Sequence, residues 1–286
     1  TLRGEPGGPS DEPQHELMGQ ITTGLFDLMR IPWEYFPTEE AEVPKVLERA
    51  LAHMNEKKQP YGLVMKKDSV APHKLKSKPV AKEVKAAAVP PSFTWPAERP
   101  SRTAALKAVQ NGTTPSDLIV ATTGHTGREL YALDDRKNQL YMVGSMGCAS
   151  TFALGLALAQ PNRRVIALDG DGAMLMRLGA LATLGFERPK NLLHILLDNE
   201  LHESTGGQST VSHSVDGALV AAACGYPKVV RVTTPEELEA LVKAPFTELT
   251  FAHVKTKPGS PEDLPRPTVT PVQVASRMRA LIAGAS

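Results

Sequence analysis

The chain has 286 residues, of which 41% are hydrophobic and 22% are charged, and its formal net charge is +1 at pH 7. This length and composition are typical of one large or two modest folded domains. A charge so close to zero gives no support for a nucleic-acid or membrane-surface partner, and no stretch of the sequence approaches the roughly 20 apolar residues that span a bilayer. We therefore expect a cytoplasmic protein.

Residues 1–70 carry two helix patterns and two strand patterns. Apolar residues recur at helical spacing over 17–28 and again over 43–54. Two short apolar runs, 31–36 and 61–66, predict strands. Two helices and two short strands do not make a sheet of ordinary size. We therefore interpret this region as part of a second α/β domain.

Residues 71–100 differ from the segments on either side because prolines and lysines recur throughout. The prolines are Pro72, Pro79, Pro90, Pro91, Pro96 and Pro100, and the lysines are Lys74, Lys76, Lys78, Lys82 and Lys85. Repeated prolines exclude a regular helix or a central strand. We predict an interdomain linker. A polybasic interaction arm is the less favoured alternative, because the lysines are spaced out and Glu83 lies among them.

From residue 101 onward, strand and helix patterns alternate to the end of the chain. The predicted strands cover 117–124, 141–143, 165–168, 191–197, 228–233 and 250–256. The predicted helices cover 101–112, 148–159, 173–184 and 215–224, and two more begin at Pro235 and Pro271. This alternation predicts an α/β fold with a doubly wound, mostly parallel sheet. The polar segment 122–129 is predicted to be a loop.

Two polar ends of neighbouring strands suggest a binding site. Gly170-Asp171-Gly172 follows one buried strand pattern and Asp198-Asn199 follows the next. Carboxyl ends of parallel strands meet at one edge of a sheet, so we expect these groups to lie together. Asp171, Asn199 and a nearby backbone carbonyl, Leu201, offer the hard oxygens that Mg²⁺ binds beside a phosphate. A metal-bridged diphosphate is the favoured ligand, and a glycine-rich turn of another nucleotide-binding protein is the alternative.

Four strings carry a resemblance to a known family: TTGHTGRELYA, VGSMGCASTFALGLALA, DGDGAMLMRLGALATLG and LLDNELHESTGGQST. Together they resemble the thiamine diphosphate-dependent decarboxylases, and GEPGGPSDEPQHELMGQIT extends the resemblance toward the start of the chain. The resemblance implies thiamine diphosphate and Mg²⁺ as cofactors. It also implies self-association, at least as a dimer, since in this family the site lies between domains of two subunits.

The resemblance assigns a role to each matching residue. It implies that Asp171, Asn199 and the Leu201 carbonyl bind Mg²⁺. Cofactor contacts are implied for Gly124, His125, Thr126, Gly144, Met146, Gly170, Gly172, Ala173 and Asn199; among them, Met146 supports the bent cofactor and the Gly144 carbonyl accepts a hydrogen bond from it. The candidate catalytic residues, which would also bind the second anionic group of the substrate, are His125, Arg128 and His202. Arg177 is a less favoured candidate.

The implied substrate is a small anionic 2-keto acid. The expected reaction converts 3-phosphonopyruvate to phosphonoacetaldehyde and CO₂, and sulfopyruvate is the alternative substrate. The resemblance divides the chain into the C-terminal part of a pyrimidine-binding domain (1–70), the linker (71–100) and a diphosphate-binding domain (101–286). The family's activating glutamate is then expected to precede Thr1, so a noncatalytic or partner cofactor-binding subunit is a further alternative.

Overall fold

The protein is described by a computed structural model that covers residues 1–78 and 86–284. Pro79, Lys82 and Lys85 of the predicted linker lie outside the described residues. The chain divides into two compact units, Thr1–Val80 and Ala81–Ser286. The functional assignment of three segments, 1–70, 71–100 and 101–286, stays a prediction. Within the described ranges, no helix is long and apolar enough to cross a membrane.

The first unit contains the helices and strands that its patterns predict. They are α1 (Glu16–Leu28), β1 (Trp33–Tyr35), α2 (Val43–Lys57) and β2 (Gly62–Val64). The two strands pair in parallel and are shorter than predicted. Val46 and Ala50 on α2 are buried, whereas Leu17 and Leu51 are exposed. The unit therefore buries only part of its apolar helix faces.

The second unit alternates strands and helices along most of its length. In chain order its elements are α3 (Arg102–Gly112), β3 (Leu118–Ala121), α4 (His125–Leu133), β4 (Gln139–Tyr141), α5 (Ala149–Ala159), β5 (Val165–Gly170), α6 (Asp171–Met176), α7 (Gly179–Glu187), β6 (Leu192–Asp198), β7 (Leu201–His202), β8 (Gln208–Ser209), α8 (Gly217–Ala223), β9 (Lys228–Val232), α9 (Pro235–Lys243), β10 (Thr250–Lys255) and α10 (Pro271–Ala283).

Six of these strands form one parallel sheet, in the order β4-β3-β5-β6-β10-β9. The predicted α/β fold with a parallel sheet is thereby confirmed. The strand β3 pairs with β4 on one side and with β5 on the other, so the chain winds outward in both directions from this point. In such sheets a crevice opens at the carboxyl ends of the strands where the order reverses. Here those ends lead into residues 122–124 and 170–172.

The sheet is buried on both faces, which is why its strands read as continuous apolar runs. Successive side chains alternate between the faces. Ile166 and Leu168 of β5 join one apolar cluster with residues of α3, α4 and α9, while Val165 and Ala167 join a second cluster with residues of α5 and α7. This double packing fixes the strands whose ends carry the polar residues.

The predicted single helix over 173–184 is wrong, because the structure contains two helices there. Arg177 departs from helical geometry, with φ −130° and ψ 49°, and separates α6 from α7. The side chain of Arg177 packs against Gly147, where an added Cβ would lie 2.8 Å from the Arg177 Cγ atom. The spacing of apolar residues within one segment carries no information about a contact with another loop. The pattern therefore did not predict the break between α6 and α7.

The predicted loop over 122–129 is also partly wrong. Only 122–124 is loop, and α4 begins at His125, directly after Gly124 with φ 96°. The segment resembled a loop because its first helical turns carry polar side chains. Those side chains are used in tertiary contacts instead of facing solvent: Glu129, for example, is buried against Arg102.

Candidate functional site

A pocket lies where the ends of β3, β5 and β6 meet, at the point where the strand order reverses. The predicted site residues that line it are Gly124, His125, Thr126, Met146, Gly170, Asp171, Gly172, Ala173, Asn199, Leu201 and His202. Arg102, Thr122, Glu203 and Ser204 are among its other lining residues. The fold therefore brings together groups that are up to 102 residues apart in the chain (from 102 to 204).

Three predicted residues do not line this pocket. Gly144 and Arg177 are exposed, and neither belongs to the pocket lining. Arg128 donates from Nε to the Pro265 carbonyl at 3.2 Å and from Nη2 to the Leu264 carbonyl. Arg128 is therefore engaged with a backbone segment away from the pocket in this structure. The roles expected for these three residues stay predictions.

Gly172 is in close contact with two side chains that were both singled out in the sequence. A Cβ at this position would lie 2.4 Å from Cε1 of His202 and 3.4 Å from Cε of Met146. Contacts below 3.0 Å force a neighbour to move, so only glycine fits beneath His202 as the ring now lies. His202 belongs to the short β7–β8 hairpin, which holds its ring over the first turn of α6.

Asp171 is a buried carboxylate, 2% exposed. It accepts hydrogen bonds from the hydroxyls of Thr210 and Ser212, and Ser212 also lies 2.8 Å from Asp198. Burial raises the pKa of Asp171, and the neighbouring Asp198 charge adds to that effect against the lowering by the two hydroxyls. The charged form of Asp171 is thus held at a cost that a bound cation would relieve.

Asp198 differs from Asp171 because cationic groups surround it. Its Oδ2 lies 2.9 Å from His253 Nε2 and 2.8 Å from Lys255 Nζ. Burial opposes ionisation of Asp198, but the hydrogen bonds from His253 and Lys255 lower its pKa to about 2. Asp198 is therefore a charged residue that lies next to the pocket without lining it, whereas Asn199 lines the pocket.

Two lining residues carry buried polar atoms without a partner. Asn199 accepts from the Leu201 amide at 3.2 Å through Oδ1, but its Nδ2 has no hydrogen-bond partner. The hydroxyl of Thr122 is likewise buried and unpartnered. Buried polar groups in proteins are nearly always satisfied. A polar ligand in the pocket would give both atoms a hydrogen-bond partner.

The donor set fits a diphosphate and a divalent cation. Asp171 offers a carboxylate, Asn199 an amide oxygen, and Leu201 a carbonyl. Hard oxygen ligands of this kind suit Mg²⁺, which completes its coordination with phosphate and water. At Gly170 the nearest atom to an added Cβ is Cγ2 of Thr122 at 4.0 Å, so the backbone there is open to close approach by a ligand.

His125 lies at the edge of the pocket within a cluster of charged groups. Its Nδ1 is 2.7 Å from Ser260 Oγ and 3.8 Å from a carboxylate oxygen of Glu203. Arg102 contacts Glu129 at 2.6 Å and Glu203 at 2.8 Å. Burial, and next the charge of Arg102, lower the pKa of His125 against the opposing effect of Glu203. These effects favour the neutral form of the imidazole.

Sequence reasoning missed several residues of the site: Arg102, Thr122, Glu203, Thr210, Ser212, His253, Lys255 and Ser260. Three of them, Thr122, Glu203 and Thr210, lie within the strings that carry the family resemblance but were given no role there. Arg102 is the first residue of α3. It follows the N-cap residue Ser101, whose hydroxyl accepts a hydrogen bond from the Ala104 amide. Lys255 and His253 had a usable signal, since both interrupt an apolar strand pattern that the sheet buries completely.

Comparison with known proteins gives two findings. Residues 123–255 match the family described as thiamine pyrophosphate enzyme, C-terminal TPP binding domain. The chain is also 44% identical to a phosphonopyruvate decarboxylase of Streptomyces viridochromogenes, over 99% of this chain and 71% of that protein. It is 42% identical to one of Streptomyces hygroscopicus, over 98% of this chain and 70% of that protein.

A second group of relatives matches a shorter part of the chain. A sulfopyruvate decarboxylase subunit beta of Methanothermobacter thermautotrophicus is 41% identical over 149 residues, which is 52% of this chain and 78% of that protein. The second group therefore matches about half of this chain, and the first group matches nearly all of its length.

Proposed function

This chain belongs to the thiamine pyrophosphate-dependent decarboxylase family, and from that membership we propose that it converts 3-phosphonopyruvate to phosphonoacetaldehyde and CO₂ with Mg²⁺ in the site. It is an enzyme, a carboxy-lyase that uses thiamine diphosphate. We propose three parts of this function: phosphonopyruvate as the substrate, Mg²⁺ as the metal, and a place in phosphonate biosynthesis.

The observation that favours phosphonopyruvate is the extent of the similarity. The two phosphonopyruvate decarboxylases match 99% and 98% of this chain, which includes the whole first unit. The sulfopyruvate decarboxylase subunit matches 52%. The match to the sulfopyruvate decarboxylase subunit thus covers about half of this chain, whereas the phosphonopyruvate decarboxylases match nearly all of it.

The described residues have the chemistry that the proposed ligands need. We assign Asp171, Asn199 and the Leu201 carbonyl to Mg²⁺, and the backbone at Gly172 and Ala173 to the diphosphate. The buried Asp171 carboxylate supports this assignment, because a bound cation would offset the cost of its charge. Gly124, His125 and Thr126 also line the pocket.

Bound thiamine diphosphate supplies the electron sink that takes up the electron pair left by CO₂. The chain's own residues orient the cofactor and substrate, limit access of water and handle one proton. Met146 and His202 cover Gly172 and keep solvent from the first turn of α6. A proton must replace CO₂ on the former keto carbon, and His125 and His202 are the histidines that line the pocket.

Calorimetric titration of thiamine diphosphate, with and without Mg²⁺, tests the cofactor assignment. We expect Mg²⁺-dependent binding that Asp171→Ala abolishes and that the exposed control Asp263→Asn retains. ATP and NAD should give no comparable Mg²⁺-dependent heat. Equal binding by Asp171→Ala would refute the metal assignment, and binding of a nucleotide in place of thiamine diphosphate would favour the alternative of a nucleotide-binding site.

Sulfopyruvate is the second candidate substrate, supported by the 41% identity of the shared region to a sulfopyruvate decarboxylase subunit. Turnover of the two acids by the same preparation separates the candidates. We expect kcat/KM to be higher for phosphonopyruvate by at least about tenfold, which is 1.4 kcal/mol of transition-state discrimination. A preference for sulfopyruvate would overturn the proposed substrate.

We further propose that the chain associates with itself, at least as a dimer. The support is an apolar groove on the second unit, formed by the edge strand β4 and by α5 and α10. A partner-subunit role, as in the name of the methanogen relative, is the alternative arrangement. The cytoplasmic location expected from the sequence stays a prediction.

A further inference from the structure

Four separate segments meet at His125. Ser260 follows β10, Arg102 begins α3, Glu129 lies on α4 and Glu203 follows β7. Ser260 Oγ lies 2.7 Å from His125 Nδ1 and 2.6 Å from Arg102 Nη2, and it lies 3.3 Å from Glu203 Oε2. The hydroxyl of Ser260 therefore has three polar neighbours and a single proton to share among them.

The number of available protons decides which of these groups donates and which accepts in each hydrogen bond. Arg102 always donates, so Ser260 Oγ accepts from it. If the Ser260 proton went to His125 Nδ1, then the Ser260 and Glu203 oxygens would face each other without a proton between them. If His125 instead donates from Nδ1, then Ser260 donates to Glu203 and every close contact has one donor and one acceptor. The Glu203 carboxylate, 3.8 Å from Nδ1, favours the same proton position electrostatically.

We propose that Arg102, Glu203 and Ser260 are positioning residues that hold the proton of His125 on Nδ1 and leave Nε2 as the proton-accepting nitrogen for a ligand. The inference rests on the proposed function, in which His125 contacts the cofactor or the substrate. A proton on Nδ1 limits the chemical groups that can pair with Nε2. An unprotonated Nε2 pairs with a hydroxyl, an amino group or a water and not with an unprotonated phosphate oxygen.

The charged groups around His125 agree with a neutral ring. Arg102 and Arg128 disfavour a second proton, while Glu203 and Glu129 favour it, and burial outweighs each of them in lowering the pKa of His125. When the ring carries one proton, the position of that proton decides whether Nε2 is a hydrogen-bond donor or an acceptor toward the pocket.

The test is nitrogen NMR of the free protein with ¹⁵N-labelled histidine, because the two neutral tautomers have distinct ring-nitrogen shifts. The chain has 8 histidines, and His125→Gln identifies the signal. We expect the Nδ1–H form in the wild type. Ser260→Ala and Glu203→Gln should each shift the tautomer ratio toward Nε2–H by roughly fivefold, the effect of one net hydrogen bond.

Matched variants separate this effect from a general disturbance. Ser260→Thr keeps a hydroxyl and should restore the wild-type ratio. The controls Ser214→Ala and Glu262→Gln change exposed residues outside the cluster and should leave the His125 signals in place. A wild-type Nε2–H tautomer would overturn the proposal, and so would an unchanged ratio in both Ser260→Ala and Glu203→Gln.

The same preparations separate this inference from the proposed function. The NMR result concerns the free protein, and it stands or falls without cofactor. Absence of thiamine diphosphate binding by calorimetry would refute the proposed function even if His125 carries its proton on Nδ1. Conversely, normal binding and turnover with an Nε2–H ring would leave the function standing and refute the positioning role.

Discussion

At the residue scale, Asp171 shows how a binding group can weaken the free protein. It is buried beside the charged Asp198, and this surrounding raises the pKa of Asp171 in the folded state. A carboxyl group with a raised folded-state pKa disfavours folding at pH values above that pKa, where it must carry a charge. The free protein thus keeps a carboxylate that lowers its stability, and the proposed cation would offset that cost.

We therefore expect Asp171→Asn to raise the free energy of unfolding of the free protein at pH 7 while it removes Mg²⁺-dependent thiamine diphosphate binding. The stability gain should shrink as the pH falls through the folded-state pKa of Asp171, since the wild-type group then becomes neutral as well. Urea unfolding at several pH values, beside calorimetry, measures both effects. Asp263→Asn is the exposed control, and a destabilised Asp171→Asn protein that still binds would contradict the argument.

Gly172 gives a second expectation at this scale. An alanine there meets the His202 ring at 2.4 Å, but His202 is a side chain on a hairpin and can move. We expect Gly172→Ala to change the free energy of unfolding by less than about 1 kcal/mol and to weaken thiamine diphosphate binding by about tenfold or more, because the methyl group would obstruct the proposed approach of the diphosphate to this residue.

A double variant separates the contact of that methyl group with the His202 ring from its proposed contact with the diphosphate. Adding His202→Ala to Gly172→Ala should restore stability, since it removes the ring that the methyl group displaces. It should not restore cofactor affinity if the backbone of Gly172 faces the diphosphate. Full affinity in Gly172→Ala, measured by the same titration, would show that the diphosphate does not approach this residue.

At the element scale, the contact between α7 and α8 depends on one glycine. A Cβ at Gly185 would lie 1.9 Å from the Cys224 carbonyl oxygen, which is backbone and cannot rotate away. Gly179, on the same helix, has no atom within 4 Å of the corresponding position. The two glycines therefore make a matched pair in which only one is required by packing.

We expect Gly185→Ala to lower the free energy of unfolding by about 3 kcal/mol, the upper part of the range for overpacking a core. Gly179→Ala should stay within about 1 kcal/mol of the wild type, because alanine favours helix and meets no neighbour. Urea denaturation of both variants provides the comparison. Equal stabilities would mean that the two helices can separate without cost.

The same scale explains what could be predicted from the sequence. The strands ending at Asp169-Gly170 and at Asp198 could be located because both are buried on two faces, and parallel pairing then brings Asp171 and Asn199 to one edge. The break between α6 and α7 could not be predicted, since it depends on Gly147 in another loop. The cluster at His125 was missed for the same reason: its members interact only after folding.

At the scale of the whole molecule, the second unit leaves one apolar surface open. The groove formed by β4, α5 and α10 includes Val143, 67% exposed, and Phe152, 43% exposed. Its other side chains include Leu156, Val274 and Met278. Contiguous apolar surface at the edge of a sheet favours association with another surface. The proposed self-association would cover this groove.

We therefore expect the wild-type protein to sediment as a dimer or larger species and Phe152→Asp to shift it toward monomer, because the substitution places a charge inside the groove. Leu158→Asp is the matched control: Leu158 lies on the same helix and is 52% exposed, but it does not line the groove. Sedimentation velocity over a concentration series measures the change. If both variants keep the wild-type distribution, then subunits associate through another surface. If the wild type is a monomer at all concentrations, then the proposed self-association itself is wrong.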